Sequence, residues 1–388
     1  MADMKIKGTL VLKDGLQRDG IMEVEKGVIT AVYPAVKSSG KVDYDFTGHY
    51  VGPGFIDIHI HGALGKGFAR CGSENYPLIL DHCAAHGTTS VLAGIATSAK
   101  EVVDTALSSI KRYISDTQAK EAVTAKILGA HLEGPFLSPA VPGAMESSLI
   151  VPPSIAQYKQ WEETGIVKMI TIAPEVEGAK ELIEYIFSKS CVIISAGHTK
   201  ASYEQMNEAA SWGVDHLTHF YNAMTGLKHR EPGVAGAGLF NPALTIELIS
   251  DFIHVHPIMI TLALRIKGIN GICLVTDSVE LAGMPNGVYR DGNGVQRIVD
   301  DSKLTTATGA LAGSSHTMDM AVHNLVACGA GVWEAWQMAS HNPAKKLGLD
   351  DRLGVIIPGA LADLAVLDDS LTCVAAAIEG QWLKKKKM

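Results

Sequence analysis

At 388 residues, 47% hydrophobic and 19% charged, the chain has the material for a large buried core, and these proportions exclude an intrinsically disordered protein. Net charge is −8 and the basic residues are scattered except for Lys384 to Lys387, so there is no basic footprint for nucleic acid, and that Lys run reads as a solvated tail. No apolar run reaches the roughly 18 residues of a membrane span, and MADMKIKGTLVLKDG at the start lacks the apolar core of a signal peptide. The expectation is a cytoplasmic protein that engages neither membrane nor nucleic acid. Six widely spread cysteines without a CxxC pair fit reduced, inert thiols.

From Lys5 to about Tyr50, short β-prone runs such as GTLVL and GIMEVEKGVITAVYP alternate with Gly and Asp turns, the pattern of a small antiparallel sheet. The stretch from Gly354 onward reads the same way. Neither end is stable as an isolated hairpin, so the two are expected to pair. This predicts a small β-sandwich domain made of residues 1–54 and 354–388, flanking one long middle domain of residues 55–353.

The middle repeats short apolar strands, each followed by a helical or loop-plus-helix segment. The predicted strands are GFIDIHI, TTSVLAG, KILGAHLE, KMITIAP, VIISAGH, DHLTHF, TIELISD and GICLVTD. Eight such units in about 300 residues predict an α/β fold, a TIM-like (β/α)8 barrel, whose chemistry sits at the C-terminal ends of the strands.

Those ends carry an unusual set of side chains. His59 and His61 lie two positions apart in the first strand, a spacing that sends both imidazoles to one face. An isolated pair of this kind is ordinarily a hydrogen-bonded structural feature. Here the third strand also ends in Glu133, the fifth in His198, the sixth in His219 and the eighth in Asp277. Six metal-ligating or acid–base groups at one rim point to a metal site. Other histidines fit less well. His82 and His86 share a helix face before the second strand, toward the opposite barrel end; His216 reads as a supporting or core residue, and the role of His131 is open.

The segments PGFIDIHIHG, HLEGPF, AGHT, THFYNAM, REPG, LVTD and LAGSS.TM, in this order along nearly the whole chain, resemble the amidohydrolase superfamily and, within it, the N-acetylglucosamine-6-phosphate deacetylases. The resemblance implies metal-dependent hydrolysis of the acetamido group of N-acetyl-D-glucosamine 6-phosphate. Amide hydrolysis near neutral pH needs an activated water, a polarised carbonyl and a protonated leaving nitrogen, and a divalent cation assists the first two. Glu133, His198 and His219 would hold one open site; His59 and His61, with Glu133 bridging and Asp277 assisting, would form a second. One or two ions per subunit are therefore expected, with zinc the leading candidate and iron, manganese or cobalt as alternatives. Asp277 would act as general base and then general acid; the competing reading is a helix N-cap.

By the same resemblance Asn222, the backbone N–H of Ala223, Arg230 and His254 would bind the substrate phosphate. A homodimer is implied, with Arg230 or His254 contributed across its interface. The chain departs from the family at Met145, where a histidine that assists the substrate carbonyl is usual and a thioether cannot donate. Glu280 stands at the rim where a small apolar residue is expected. The alternatives these departures leave open are an epimeric substrate such as N-acetylgalactosamine 6-phosphate, another amidohydrolase activity, and a catalytically silent homologue.

Overall fold

A computed structural model describes residues 3–37, 41–118, 123–291 and 294–383; the lysine run at 384–387 lies outside the described residues. Eight parallel strands follow one another in sequence and in space: Phe55–Ile60, Thr88–Ala96, Lys126–Glu133, Val167–Ile172, Ile193–Ala196, His216–Leu217, Thr245–Leu248 and Ile272–Leu274. The first and last are joined when Asp277 N–H donates to His59 O at 2.9 Å and His61 N–H to Ser278 O at 2.7 Å. Side-chain bonds reinforce that seam, since buried Asp57 accepts from the His59 N–H at 3.2 Å and from the Thr276 hydroxyl. A helix follows each strand, from Tyr76–Ala85 after the first to Met318–Ala327 after the eighth. The expected barrel is therefore present.

Packing shows where the barrel interior lies. Ile56, Leu92, Met169, Ile193, Cys273 and Val275 form one apolar cluster with Ala344 and Leu353. These residues come from strands all around the sheet, and residues of its non-neighbouring strands meet only inside a closed sheet. The larger cluster, with Phe55, Val91, Ile127, Ile170 and Leu274 facing helix residues such as Leu107, Leu182 and Ile260, is the strand-to-helix layer.

The chain ends join in a seven-stranded sheet built from Met4–Leu12, Gly15–Glu25, Val28–Pro34 and Tyr44–Pro53 with Leu364–Leu367, Cys373–Ile378 and Gln381–Trp382. Every pairing is antiparallel except that of the first and fourth strands, which is parallel. Ile6, Leu10, Met22, Val51, Leu364 and Val366 give this sheet an apolar cluster of its own. No helix among the described residues is long and apolar enough to cross a membrane.

One element has no counterpart in the sequence reading. After the eighth strand the chain forms an antiparallel four-stranded sheet, Gly287–Arg290, Gln296–Asp300, Lys303–Thr306 and Leu311–Ser314, before entering its helix. Its last strand is tied to the barrel, where Ser314 N–H donates to Asp277 O at 2.9 Å.

The terminal sheet and the barrel meet at Trp336. Its fully buried indole donates Nε1–H to Pro53 O at 2.7 Å and packs against Phe55 with ring centroids 5.2 Å apart. A methyl group on Gly52 would overlap the same ring. Trp336→Ala removes both the hydrogen bond and a large buried surface, and should lower unfolding stability by about 3–5 kcal/mol in a denaturant titration. A loss below about 1 kcal/mol would show that this junction is not where the two sheets are fastened.

Candidate functional site

The six rim residues converge. Glu133 is the last residue of the third strand, His59 lies within the first and His61 just past it, whereas His198, His219 and Asp277 fall two or three residues beyond their strands. All three of these have left-handed backbone, with φ of 46°, 32° and 49°. Such a conformation costs a non-glycine residue on the order of 1–3 kcal/mol and is retained where surrounding structure enforces it. Asp277 caps no helix: the residues after it bridge to the first barrel strand and to Ser314.

Glu133 is the hub. Its Oε1 lies 3.1 Å from His198 Nε2 and 3.1 Å from His219 Nε2, and those nitrogens are 3.0 Å apart. Its Oε2 lies 3.3 Å from His61 Nε2. The Nε2 atoms of His59 and His61 are 3.1 Å apart, and Asp277 Oδ1 stands 3.5 Å from each. Two groups therefore form around Glu133, one with His198 and His219 and another with His59 and His61, with ligand atoms close enough to share an ion; His59, His131 and Glu247 make a third such group behind them.

Hydrogen bonding on the far side of two rings tests the fit. His198 Nδ1 donates to Val141 O at 3.0 Å, and His59 Nδ1 donates to Glu247 Oε2 at 2.7 Å. Each bond fixes the proton on Nδ1 and leaves the Nε2 lone pair facing Glu133. Lone pairs and a carboxylate gathered at one buried point need a positive charge between them. The donor set fits a divalent cation.

Electrostatics agree. Burial opposes ionisation of Glu133, yet the close approach of His198 and His219, then of His59 and His61, holds its carboxyl well below the usual carboxylate range. Burial likewise opposes the charge on Asp277, and the nearby His59 and His61 imidazoles keep its pKa below the ordinary value. For His61 burial works against a proton, but its bonds to Asp277 and Glu133 raise its pKa to about 9.

Glu247 is the part that sequence reasoning missed. It sits in the middle of the seventh strand, fully buried, where it bonds His59, accepts from the His219 N–H at 2.8 Å and lies 3.4 Å from His216 Nε2. A carboxylate inside the four-residue run TIEL was the available signal, since a buried charge demands partners. His131 bonds Thr171 Oγ1 at 2.8 Å, with its ring edge-on to His59 at 4.6 Å. His86 pairs with Asp319 at 3.2 Å and His82 lies against it; neither enters a ligand group among the described residues.

A cleft of about 780 Å³ opens over Glu133, His198, His219 and Asp277, and its wall includes Asn222, Ala223, His254 and Met145. Burial disfavours a charge on His254, but Asp251, bonded to Nδ1 at 2.6 Å, raises the imidazole pKa above its ordinary value. A cationic imidazole there suits an anionic ligand group. Ala223 has φ of 49°, and its N–H makes no hydrogen bond among the described residues. Arg230 lies elsewhere, on an exposed loop outside the residues that line the cleft. The far wall is formed by the four-stranded sheet, through Arg297, Leu304, Thr306 and Leu311.

The proton on His61 makes cation binding pH-dependent. Below pH 9 the cation-free site holds a proton that the cation must displace, so binding at pH 7 should release protons, and apparent affinity should rise with pH up to about 9. Calorimetry in two buffers of different ionisation enthalpy measures this directly. Proton uptake, or affinity independent of pH, would contradict the proposed overlap of proton and cation sites.

Residues 50–386 match the amidohydrolase family model. The chain is 35% identical over 359 residues to the N-acetylglucosamine-6-phosphate deacetylase of Lysinibacillus sphaericus, covering 91% of each sequence. It is 34% identical to the N-acetylgalactosamine-6-phosphate deacetylase of Escherichia coli O157:H7, covering 96% of this chain and 97% of that one. Among solved structures, the Mycobacterium smegmatis N-acetyl-D-glucosamine-6-phosphate deacetylase is similar with a TM-score of 0.91 and 31% identity over 98% of this chain and 99% of that chain; it is an aspartate-to-alanine variant in complex with N-acetyl-D-glucosamine-6-phosphate. The corresponding enzyme of Thermotoga maritima gives a TM-score of 0.87 at 32% identity over the full length of both chains. With a barrel of this topology, a carboxylate-centred histidine cluster at its rim and a family match over most of its length, the chain belongs to the amidohydrolase family.

Proposed function

We propose that this protein hydrolyses the acetamido group of N-acetyl-D-glucosamine 6-phosphate, giving glucosamine 6-phosphate and acetate. The observation that carries the reading is the content of one cleft: the Glu133, His198 and His219 cluster, the Asp277 carboxylate, and the anion-suited wall of His254, Asn222 and Ala223. The similarity to full-length sugar-phosphate deacetylases supports the same substrate class.

Glu133, His198 and His219 would hold a divalent cation, zinc by preference, with His59 and His61 available for a second. When bound, such a cation lowers the pKa of a coordinated water and acts as a Lewis acid on the carbonyl. Asp277 takes a proton from the attacking water as the new C–O bond forms. It delivers that proton to the nitrogen as the C–N bond breaks, leaving acetate and the free amine. Glu247 holds the His59 ring in place throughout. His254, Asn222 and the Ala223 N–H bind the phosphate and so fix the acetamido group over the cluster.

Arg230 would complete the phosphate pocket from a second copy of the chain, a reading supported by its exposure outside its own cleft. The active form is then a homodimer. The charge of a sugar phosphate keeps it inside the cell, which supports a cytoplasmic setting. Residues 1–54 with 354–388 are read as a small domain bracing the barrel of 55–353; their continuous sheet and separate apolar cluster support that division. An N-acetylgalactosamine 6-phosphate substrate is the second reading, favoured by the similarity to the Escherichia coli O157:H7 enzyme of that name.

Acetate release from N-acetylhexosamine 6-phosphates and their unphosphorylated forms tests the proposal. The phosphorylated glucosamine derivative should be preferred, and Asp277→Asn should lower kcat by about 100- to 10,000-fold while retaining bound metal. No acetate from any member of the panel, or a wild-type rate in the Asn variant, would overturn it.

A further inference from the structure

Arg297 lies in the second strand of the four-stranded sheet and Asp291 just past the end of the first, and both face the same cleft as the histidine cluster. Their side chains are only 14% and 11% exposed. Asp291 Oδ2 accepts from Arg297 Nε at 2.9 Å and from Nη2 at 2.8 Å. Nη2 also approaches Ala144 O at 3.5 Å, a long contact for a hydrogen bond. Both Nη1 donors have no protein acceptor among the described residues.

The loop that Arg297 approaches begins at the metal cluster. Val141 O accepts from His198 Nδ1, and a methyl group on Gly143 would come within 2.9 Å of His198 Cε1. Three residues beyond Val141 the chain reaches Arg297, and the next residue is Met145, which lines the cleft without a donor to offer. The guanidinium therefore borders the space beside the reacting group.

A purely structural role accounts for Asp291 but poorly for the outer donors of Arg297. Asp291 also accepts from the Val295 N–H through Oδ1 at 2.9 Å, but largely removing a guanidinium from water is costly, and for its outer donors one long contact to a carbonyl gives little in return. A ligand bonded to the unused donors would account for the buried guanidinium. The pair also has a definite chemical preference. Taken together it carries no net charge, with Asp291 neutralising the guanidinium whose outer donors are unused, which suits a neutral hydroxyl group better than a phosphate. The phosphate has its own wall at His254, Asn222 and Ala223.

We infer that Arg297, held by Asp291, is a substrate-positioning residue that donates a hydrogen bond to a hydroxyl on C3 or C4 of the amino-sugar ring. This rests on the deacetylase reading above and goes further by naming a residue that selects the sugar. It places substrate selection on the inserted sheet, outside the eight barrel units.

Steady-state kinetics of wild type, R297M and R297K on N-acetylglucosamine 6-phosphate and its 3-deoxy and 4-deoxy analogues test it, with melting temperature and metal content measured on each preparation. R297M should raise KM on the parent sugar by about 10- to 100-fold, as expected for a bond to a charged donor. The same substitution should have little effect on the analogue that lacks the bonded hydroxyl. R297K keeps a cation beside Asp291 and loses the fork, so it should retain the fold and still show the selective loss, even if R297M is unstable. Equal losses on the parent and both analogues, or an unchanged KM, would overturn the inference. Failure of the unmutated protein to release acetate from any of these sugars would instead overturn the deacetylase reading, and this inference with it.

Discussion

Two imidazole nitrogens 3.0 Å apart, each 3.1 Å from the same carboxylate oxygen, leave room for one shared positive charge and for little else. The rest of the site is arranged around that point. With two of the surrounding rings committed through Nδ1–H to Val141 and Glu247, their inner lone pairs have no proton of their own to share. Against burial, bonds to Asp277 and Glu133 raise the pKa of His61 to about 9, so a proton sits there when no cation is present, and a divalent cation satisfies the same geometry with greater charge.

That concentration of polar groups is stable only because the barrel is rigid. Glu133, His198, His219, His59 and Asp277 come from five different strands, and closure of the first strand onto the eighth brings Asp277 within 3.5 Å of His59 and His61. The left-handed backbone at His198, His219 and Asp277 is paid for by the strands that precede them and by contacts such as the Glu247 bond to the His219 N–H. Apolar packing sets the ligand positions, and the ligands in turn determine the chemistry.

The parts legible in the sequence share a physical cause. Barrel strands are buried on both faces, so Thr88–Ala96 and Lys126–Glu133 stand out as apolar runs, and function falls at their ends. The cluster residues were visible because each lies at or just past such an end. What was not legible follows from weaker patterning. Among the strands between Gly287 and Ser314 only Val299, Leu304 and Ser314 are buried, so alternation there is faint and the inserted sheet, with Arg297 on it, leaves almost no trace. Glu247 escaped notice because a charge in a short strand is informative only once its neighbours across the barrel are known. The predicted strands also run past their true ends at His198, His219 and Asp277, since the left-handed positions that end them are held by these residues themselves and not by glycine.

The central claim is that Glu133, His198 and His219 form a cation site. Crystals grown from protein purified without chelator, measured with X-rays just above and just below the absorption edge of the metal found in solution, test it directly. The account requires an anomalous peak bounded by Glu133, His198 and His219, which vanishes below the edge and is absent in His219→Ala. A fully active preparation with no peak at that position would contradict it.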